Sequence, residues 1–159
     1  MTAPRIAPND QQPTAFAFGD ADRAQIDALL AKYPAERKRS AVMPLLDIAQ
    51  RRNGGWLSRV AMDHVAEILD MAPIRVYEVA SFYTMYNLAP VGTHLVQVCR
   101  TTPCWLRGSD GIADAIKTRL GVGLGETTAD GLFTLIEVEC LGACCNAPMV
   151  QINDDYYED

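Results

Sequence analysis

Two closely spaced pairs of cysteines constrain this chain more strongly than any other feature of its sequence. Cys99 and Cys104 form a C-x4-C pair, and Cys140 and Cys144 form a C-x3-C pair. Each pair begins where a segment with strand character ends, and each is short enough for two sulfurs to bind one metal. Because neighbouring strands bring their ends together, the sequence predicts that the two pairs meet at one edge of a sheet.

Three kinds of site are compatible with this spacing. A [2Fe–2S] cluster is the first hypothesis, because such a cluster needs two thiolates on each iron. A structural zinc site with four cysteines is the main alternative, although zinc ribbons typically use tighter pairs. Unliganded or redox-active thiols are the third, although the sequence lacks the thioredoxin C-x2-C motif. Cys145 directly follows Cys144 and is expected to be a non-ligand, since adjacent side chains point in opposite directions on an extended backbone.

The part of the chain before the cysteines is predicted to be helical. Residues 1–19 are rich in Pro, Gln, Thr and Ala without periodicity and are expected to form a flexible or partner-bound arm. Over residues 20–90, apolar residues with helical spacing indicate a small bundle of short helices. The residues expected to begin these helices are Asp20, the N-cap serines Ser40 and Ser58, and Pro73.

The cysteine-containing part, residues 91–159, combines strand and helix patterns. Alternating apolar residues predict strands over 94–99, 132–140 and 149–152. Ser109 is expected to cap an amphipathic helix that Gly121 ends. The order strand, helix, strand, strand indicates an α/β sandwich, so the fold class predicted for the whole chain is α+β.

The charge distribution narrows the functions that the chain can have. The net charge is -6, and residues 91–159 carry the whole excess, with four basic and ten acidic groups. An acidic surface argues against nucleic-acid binding. Glu137 and Glu139 precede Cys140, and negative charge at that position predicts a low reduction potential for a bound cluster.

Other sequence signals exclude further classes. No apolar run approaches the length of a membrane span, and the first residues do not resemble a secretory signal, so we expect a reducing compartment. The glycine-rich segment 121–125 lies between a predicted helix and a predicted strand, the reverse of the order in a dinucleotide-binding motif. We therefore expect that this chain does not bind NADH itself.

Longer stretches around the cysteines resemble one known family, the 24 kDa [2Fe–2S] subunit of respiratory complex I (NADH–quinone oxidoreductase), of the alphaproteobacterial or mitochondrial type. The stretches that carry this resemblance are residues 98–104, 125–128, 132–144, 146–153 and 156–159, with 79–83 in the helical part. The resemblance extends over roughly residues 20–159 and includes long contiguous runs besides the cysteines.

This resemblance implies a helical bundle followed by a thioredoxin-like domain that holds one [2Fe–2S] cluster on Cys99, Cys104, Cys140 and Cys144. It implies a subunit of the proton-translocating complex that transfers electrons without being catalytic on its own. The partner would be the flavoprotein subunit that binds FMN and NADH, within the peripheral arm. That arm lies on the cytoplasmic side of the bacterial inner membrane or the matrix side of the mitochondrial one, so no direct membrane insertion is expected. Equivalent subunits of NAD-linked formate dehydrogenases and hydrogenases are the alternative within the same class.

Overall fold

A computed structural model describes residues 6–159, and the chain divides into two compact units between Pro90 and Val91. We call residues 6–90 the helical unit and residues 91–159 the sheet unit. Helices together with a mixed sheet confirm the α+β fold class. Within the described residues, no helix is both long enough and apolar enough to cross a membrane.

Apolar stripes on four α-helices form the core of the helical unit. The helices are α1 (Asp20–Leu30), α2 (Val42–Arg52), α3 (Arg59–Leu69) and α4 (Pro73–Phe82), and a 3₁₀ helix, Ala35–Ala41, lies between the first two. The apolar side chains on the inner faces of α2, α3 and α4 pack in one cluster, and several of them are fully buried. They include Leu45, Leu46, Val65, Leu69 and Val76.

The starts of three helices test the predicted caps. Ser58 accepts a hydrogen bond from the backbone amide of Ala61 at 3.3 Å, which confirms it as the N-cap of α3. Pro73 is the first residue of α4, as predicted. The prediction for Ser40 is wrong, because the 3₁₀ helix runs directly into α2 and the amide of Val42 donates to the carbonyl of Arg39. At the start of α2, the backbone carbonyl of Arg39 therefore accepts the hydrogen bond that a capping side chain would otherwise accept.

Residues 6–19 pack on the helices of the helical unit, whereas the sequence predicted a flexible or partner-bound arm over residues 1–19. Ala7 and Phe18 are buried, and the amide of Ala7 donates to the carbonyl of Leu88 at 2.8 Å. The amide of Arg59 donates to the side chain of Gln12 at 3.0 Å. Local composition gave no sign of these contacts, because they depend on residues far along the chain. Residues 1–5 lie outside the described residues.

The sheet unit contains a five-stranded mixed sheet with the order β2-β3-β1-β4-β5. Its strands are β1 (His94–Cys99), β2 (Glu126–Thr127), β3 (Phe133–Val138), β4 (Met149–Ile152) and β5 (Asp155–Glu158). β1 and β3 are parallel, and every other neighbouring pair is antiparallel. The helices α5 (Thr102–Leu106) and α6 (Ser109–Leu120) follow β1. Ala113 of α6 packs on a buried apolar layer of the sheet that comprises Val96, Val98, Leu135 and Val150.

Some details of the sheet unit differ from the prediction. β1 has the predicted bounds, whereas β3 ends at Val138 and not at Cys140. Ser109 is not the cap of α6, because Gly108 occupies that position with a positive φ of 92° and Ser109 is the first, buried residue of the helix. The short elements α5, β2 and β5 were not predicted, since two to five residues are too few for a periodic pattern.

Candidate metal centre

The parallel pairing of β1 and β3 brings both cysteine pairs to one end of the sheet. Cys99 is the last residue of β1 and lies opposite Val138, the last residue of β3. Cys104 follows in α5, and the segment after β3 leads through Cys140 to the 3₁₀ helix Cys144–Asn146. The structure therefore brings together the four predicted cysteines at the carboxyl ends of two adjacent parallel strands.

The thiols are arranged as two pairs that differ in exposure. Cys99 and Cys104 are each only 1% exposed and pack together with Ala147 and Met149. The sulfurs of Cys140 and Cys144 are 3.7 Å apart, and both residues are exposed. Over residues 6–159, no three Cys, His, Asp or Glu side chains converge on a single metal-ion position. Two pairs of thiols at one sheet end are the arrangement that a cluster with two thiolates on each iron needs.

Backbone amides point at these sulfurs. The amide of Gly142 donates to Sγ of Cys140 at 3.4 Å. The hydroxyl of Thr101 lies within hydrogen-bond distance of Sγ of Cys99, at 3.3 Å. A cluster and its thiolates carry net negative charge, which such donors stabilise. The donor set of this site, four thiols with surrounding amides, therefore fits a [2Fe–2S] cluster.

The pKa values of three thiols are shifted, and the causes differ. Burial opposes ionisation of Cys99, but hydrogen bonds from the hydroxyl and amide of Thr101 outweigh it, so the pKa of Cys99 is lowered. Burial raises the pKa of Cys104, and the neighbouring Cys99 raises it further. The pKa of Cys144 is raised chiefly by its hydrogen bond with Cys140 and by the charge of that thiol. Since neighbouring thiols oppose ionisation of Cys104 and Cys144, a bound cation would help these two residues to ionise.

A positively charged side chain partly offsets the acidic surroundings. The guanidinium of Arg100, directly after Cys99, donates to Glu137 at 2.9 Å and to Asp110 at 2.6 Å. Glu137 is therefore paired and contributes less negative potential at the site than its sequence position suggested. The carboxylate of Glu158 accepts a hydrogen bond from the side chain of Asn146 at 3.1 Å, so this acidic residue also contacts the cysteine loop.

Three other residues that could be considered for a role at the site lie apart from the thiols or are exposed. His94 begins β1, at the opposite end of the strand from Cys99, and stacks on Phe133. Cys145 is exposed beside Cys144. Trp105 is 56% exposed and thus is not part of a packed core.

Sequence reasoning missed the contribution of Thr101 and of Tyr156, whose hydroxyl donates to the carbonyl of Leu141 at 2.8 Å. The position of Thr101 two residues after Cys99 was the only available signal for either residue.

A small sheet unit with paired thiols and amide donors at one end is the architecture of an iron–sulfur protein of the ferredoxin class. The chain belongs to the thioredoxin-like [2Fe–2S] ferredoxin family, whose model matches residues 26–159. This match confirms the thioredoxin-like fold and the [2Fe–2S] cofactor that the resemblance implied.

The curated relatives of this chain are named as subunits of the same complex that the sequence resemblance indicated. An NADH-quinone oxidoreductase subunit of Rickettsia bellii is 58% identical over 146 residues, which cover 92% of this chain and 87% of the relative. NADH dehydrogenase [ubiquinone] flavoprotein 2, mitochondrial, of Dictyostelium discoideum is 56% identical over 151 residues, 95% of this chain and 61% of the relative. The resemblance to the complex I subunit family is therefore confirmed.

A solved structure shares the fold. The crystal structure of an NAD⁺-reducing [NiFe]-hydrogenase in the H₂-reduced state matches 74% of this chain with a TM-score of 0.64 and 18% sequence identity. This chain spans only 20% of the hydrogenase chain. At this level of identity, the match shows a common fold and does not extend the hydrogenase's activity to this protein.

Proposed function

We propose that this chain is an electron-transfer subunit of an NADH–quinone oxidoreductase and that Cys99, Cys104, Cys140 and Cys144 hold its [2Fe–2S] cluster. The observation that carries the proposal is the meeting of the two thiol pairs at one sheet end, in a chain 58% identical to a subunit of that name. The bound cluster supplies one-electron chemistry, while the protein binds it, orients it and tunes it. The chain is thus part of an enzyme without being catalytic on its own.

The closeness of the two cysteines within each pair supports a distribution of one pair to each iron. Cys99 and Cys104 share one buried cluster of side chains, and Cys140 and Cys144 have adjacent sulfurs in one exposed segment. We assign one pair to each iron. The first pair then keeps its side of the site away from water, while the second faces outward, where an electron partner can approach.

The thiol–disulfide alternative fits the site less well. Such an enzyme needs an exposed cysteine with a low pKa. The thiol with the lowered pKa is Cys99, which is buried, whereas the pKa of the exposed Cys144 is raised. The thiol with the lowered pKa is therefore not one that solvent reaches readily.

The partner follows from the same proposal. The electron partner in this proposal is the flavoprotein subunit with FMN and NADH, as the resemblance to the complex I subunit family implies. The subunit occupies the peripheral arm of the complex, on the cytoplasmic or matrix side of the membrane. Stable co-purification with the flavin-binding subunit supports this part of the proposal, and reconstitution in which the two subunits never associate contradicts it.

Electron paramagnetic resonance of the reduced protein, combined with iron and acid-labile sulfide analysis, tests the cofactor assignment. We expect the signal of a reduced [2Fe–2S] cluster with two irons and two sulfides for each chain. A colourless protein that contains one zinc ion for each chain would overturn the proposal.

A serine series tests the ligands. Cys99→Ser and Cys140→Ser each remove a proposed ligand, one from each pair, and are expected to abolish or strongly alter the cluster signal. Cys145→Ser is the matched control, because it changes an exposed thiol directly beside the site. A normal spectrum in both ligand variants contradicts the ligand assignment.

A further inference from the structure

The peptide group between Leu141 and Gly142 is hydrogen-bonded on both sides. Its N–H, from Gly142, donates to Sγ of Cys140 at 3.4 Å. Its carbonyl, from Leu141, accepts a hydrogen bond from the hydroxyl of Tyr156 at 2.8 Å. One planar group thus links a phenol to a sulfur that we assign to the cluster.

The last strand holds Tyr156 in this position. Tyr156 lies on β5 opposite Gln151 of β4, so the backbone of the sheet fixes its place. Two further contacts join the same strand end to the cysteine segment. The side chain of Asn146 donates to Glu158 at 3.1 Å, and the amide of Asp159 donates to the carbonyl of Asn146 at 3.1 Å. The phenol is therefore anchored by a scaffold and does not depend on this one hydrogen bond for its location.

We propose that Tyr156 is a positioning residue that strengthens the Gly142 N–H donation to the Cys140 sulfur and thereby raises the reduction potential of the cluster. A hydrogen bond to the carbonyl polarises the peptide and makes its N–H a stronger donor, because linked hydrogen bonds reinforce each other. The reduced cluster carries one more negative charge, so donation to a ligand sulfur stabilises it more than the oxidised form. This inference rests on the proposed function, because it needs Cys140 as a ligand.

Redox titration of the full-length, cluster-loaded protein, followed by electron paramagnetic resonance, measures the effect. Tyr156→Phe removes the hydroxyl and keeps the ring. We expect the equilibrium constant for reduction to fall about 1.3-fold to 4.5-fold, from a reinforcement of roughly 10–30% of a charge-assisted hydrogen bond. Since a tenfold change corresponds to 59 mV for one electron, the midpoint should fall by roughly 7–40 mV.

A substitution that is expected to raise the reduction potential distinguishes an effect on the potential from a purely structural role of Tyr156. 3-Fluorotyrosine at position 156 has a more acidic phenol, which is a stronger donor. The fluorinated protein should therefore have a higher midpoint than the wild type. The hyperfine coupling of an exchangeable proton near the cluster should weaken in Tyr156→Phe and strengthen in the fluorinated protein.

Tyr157→Phe is the matched control, because Tyr157 is the exposed next residue and points to the opposite face of the strand. Its midpoint should equal that of the wild type. A Tyr156→Phe protein with a normal cluster signal and an unchanged midpoint overturns this inference alone. The absence of a [2Fe–2S] signal in the wild type overturns the proposed function instead.

Discussion

The guanidinium of Arg100 donates to the carboxylate of Glu137 across 2.9 Å, and this ion pair joins the two strand ends that lead into the cysteine segments. Arg100 directly follows Cys99, and Glu137 is the penultimate residue of β3. The same guanidinium binds Asp110 in the first turn of α6. One side chain therefore connects β1, β3 and α6 beside the proposed cluster.

Arg100→Gln should make the bound cluster easier to lose. A partly exposed ion pair contributes about 0.2–1 kcal/mol, so we expect the half-time of cluster loss to an iron chelator to shorten about 1.4-fold to fivefold. Decay of the visible absorbance of the loaded protein measures this rate. Arg119→Gln, which removes an exposed arginine in the last turn of α6, is the control and should leave the half-time unchanged. Equal rates in both variants would refute the connecting role of Arg100.

Two tyrosines of the helical unit should ionise only at strongly alkaline pH. Burial, followed by a hydrogen bond to Asp63 at 2.5 Å, raises the pKa of Tyr77 to about 12. Burial raises the pKa of Tyr86 to about 12 as well. The neutral phenols therefore stabilise the fold below pH 10, and this contribution falls as pH rises from 10 towards 12. Ultraviolet absorbance titration should show a late phase that shrinks in Tyr77→Phe; a late phase of unchanged amplitude contradicts the assignment.

The N-cap of α3, Ser58, should contribute far more to the free energy of unfolding than Ser40, the residue predicted to cap α2. Ser58 is fully buried and bonds the Ala61 amide, so Ser58→Ala should lower the free energy of unfolding by about 1–2 kcal/mol. Ser40→Ala is the matched control, because Ser40 is exposed and caps no helix, and its effect should stay within about 0.5 kcal/mol. Urea unfolding followed by circular dichroism measures both. Equal losses in the two variants would contradict the structural difference between them.

Ser58 and Ser40 show when the local sequence is sufficient to predict a helix N-cap and when it is not. Ser58 follows a loop and precedes an apolar stripe, and these two local features were enough to predict the start of α3. At Ser40, a preceding 3₁₀ helix supplies the carbonyl, and at α6 the left-handed conformation of Gly108 makes the turn. Both outcomes depend on the path by which the chain enters the helix, which a serine before an apolar run does not specify.

The candidate site also has residues that could be predicted from the sequence and one that could not. Cys99 ends a strand with clear alternation, and Cys140 closely follows another, so the meeting of the pairs could be predicted from the sequence. Tyr156 could not, because β5 is exposed along its whole length and lacks a buried-face pattern. Its contact with Leu141 arises only from the antiparallel pairing of β5 with β4.

Substitution of alanine for Gly92 and for Gly111 should change the stability of the sheet unit in opposite directions. A Cβ at Gly92 would lie 2.8 Å from backbone atoms of Leu132 and Phe133, whereas a Cβ at Gly111, within α6, meets nothing within 4 Å. Backbone atoms at the edge of β3 cannot rotate away, so Gly92→Ala should destabilise the sheet unit by about 1–3 kcal/mol. Gly111→Ala should stabilise it by about 0.5–1 kcal/mol, because alanine loses less conformational entropy in a helix.

Amide hydrogen exchange of β1 and β3 measures this difference within the sheet unit itself. Gly92 also donates its amide to the hydroxyl of Thr134 at 2.6 Å, so a shift of the backbone at this position weakens a buried hydrogen bond as well. Exchange of the β1 amides should therefore accelerate in Gly92→Ala and slow in Gly111→Ala. Acceleration of similar size in both variants would mean that loss of glycine flexibility, and not the close approach to β3, governs the response.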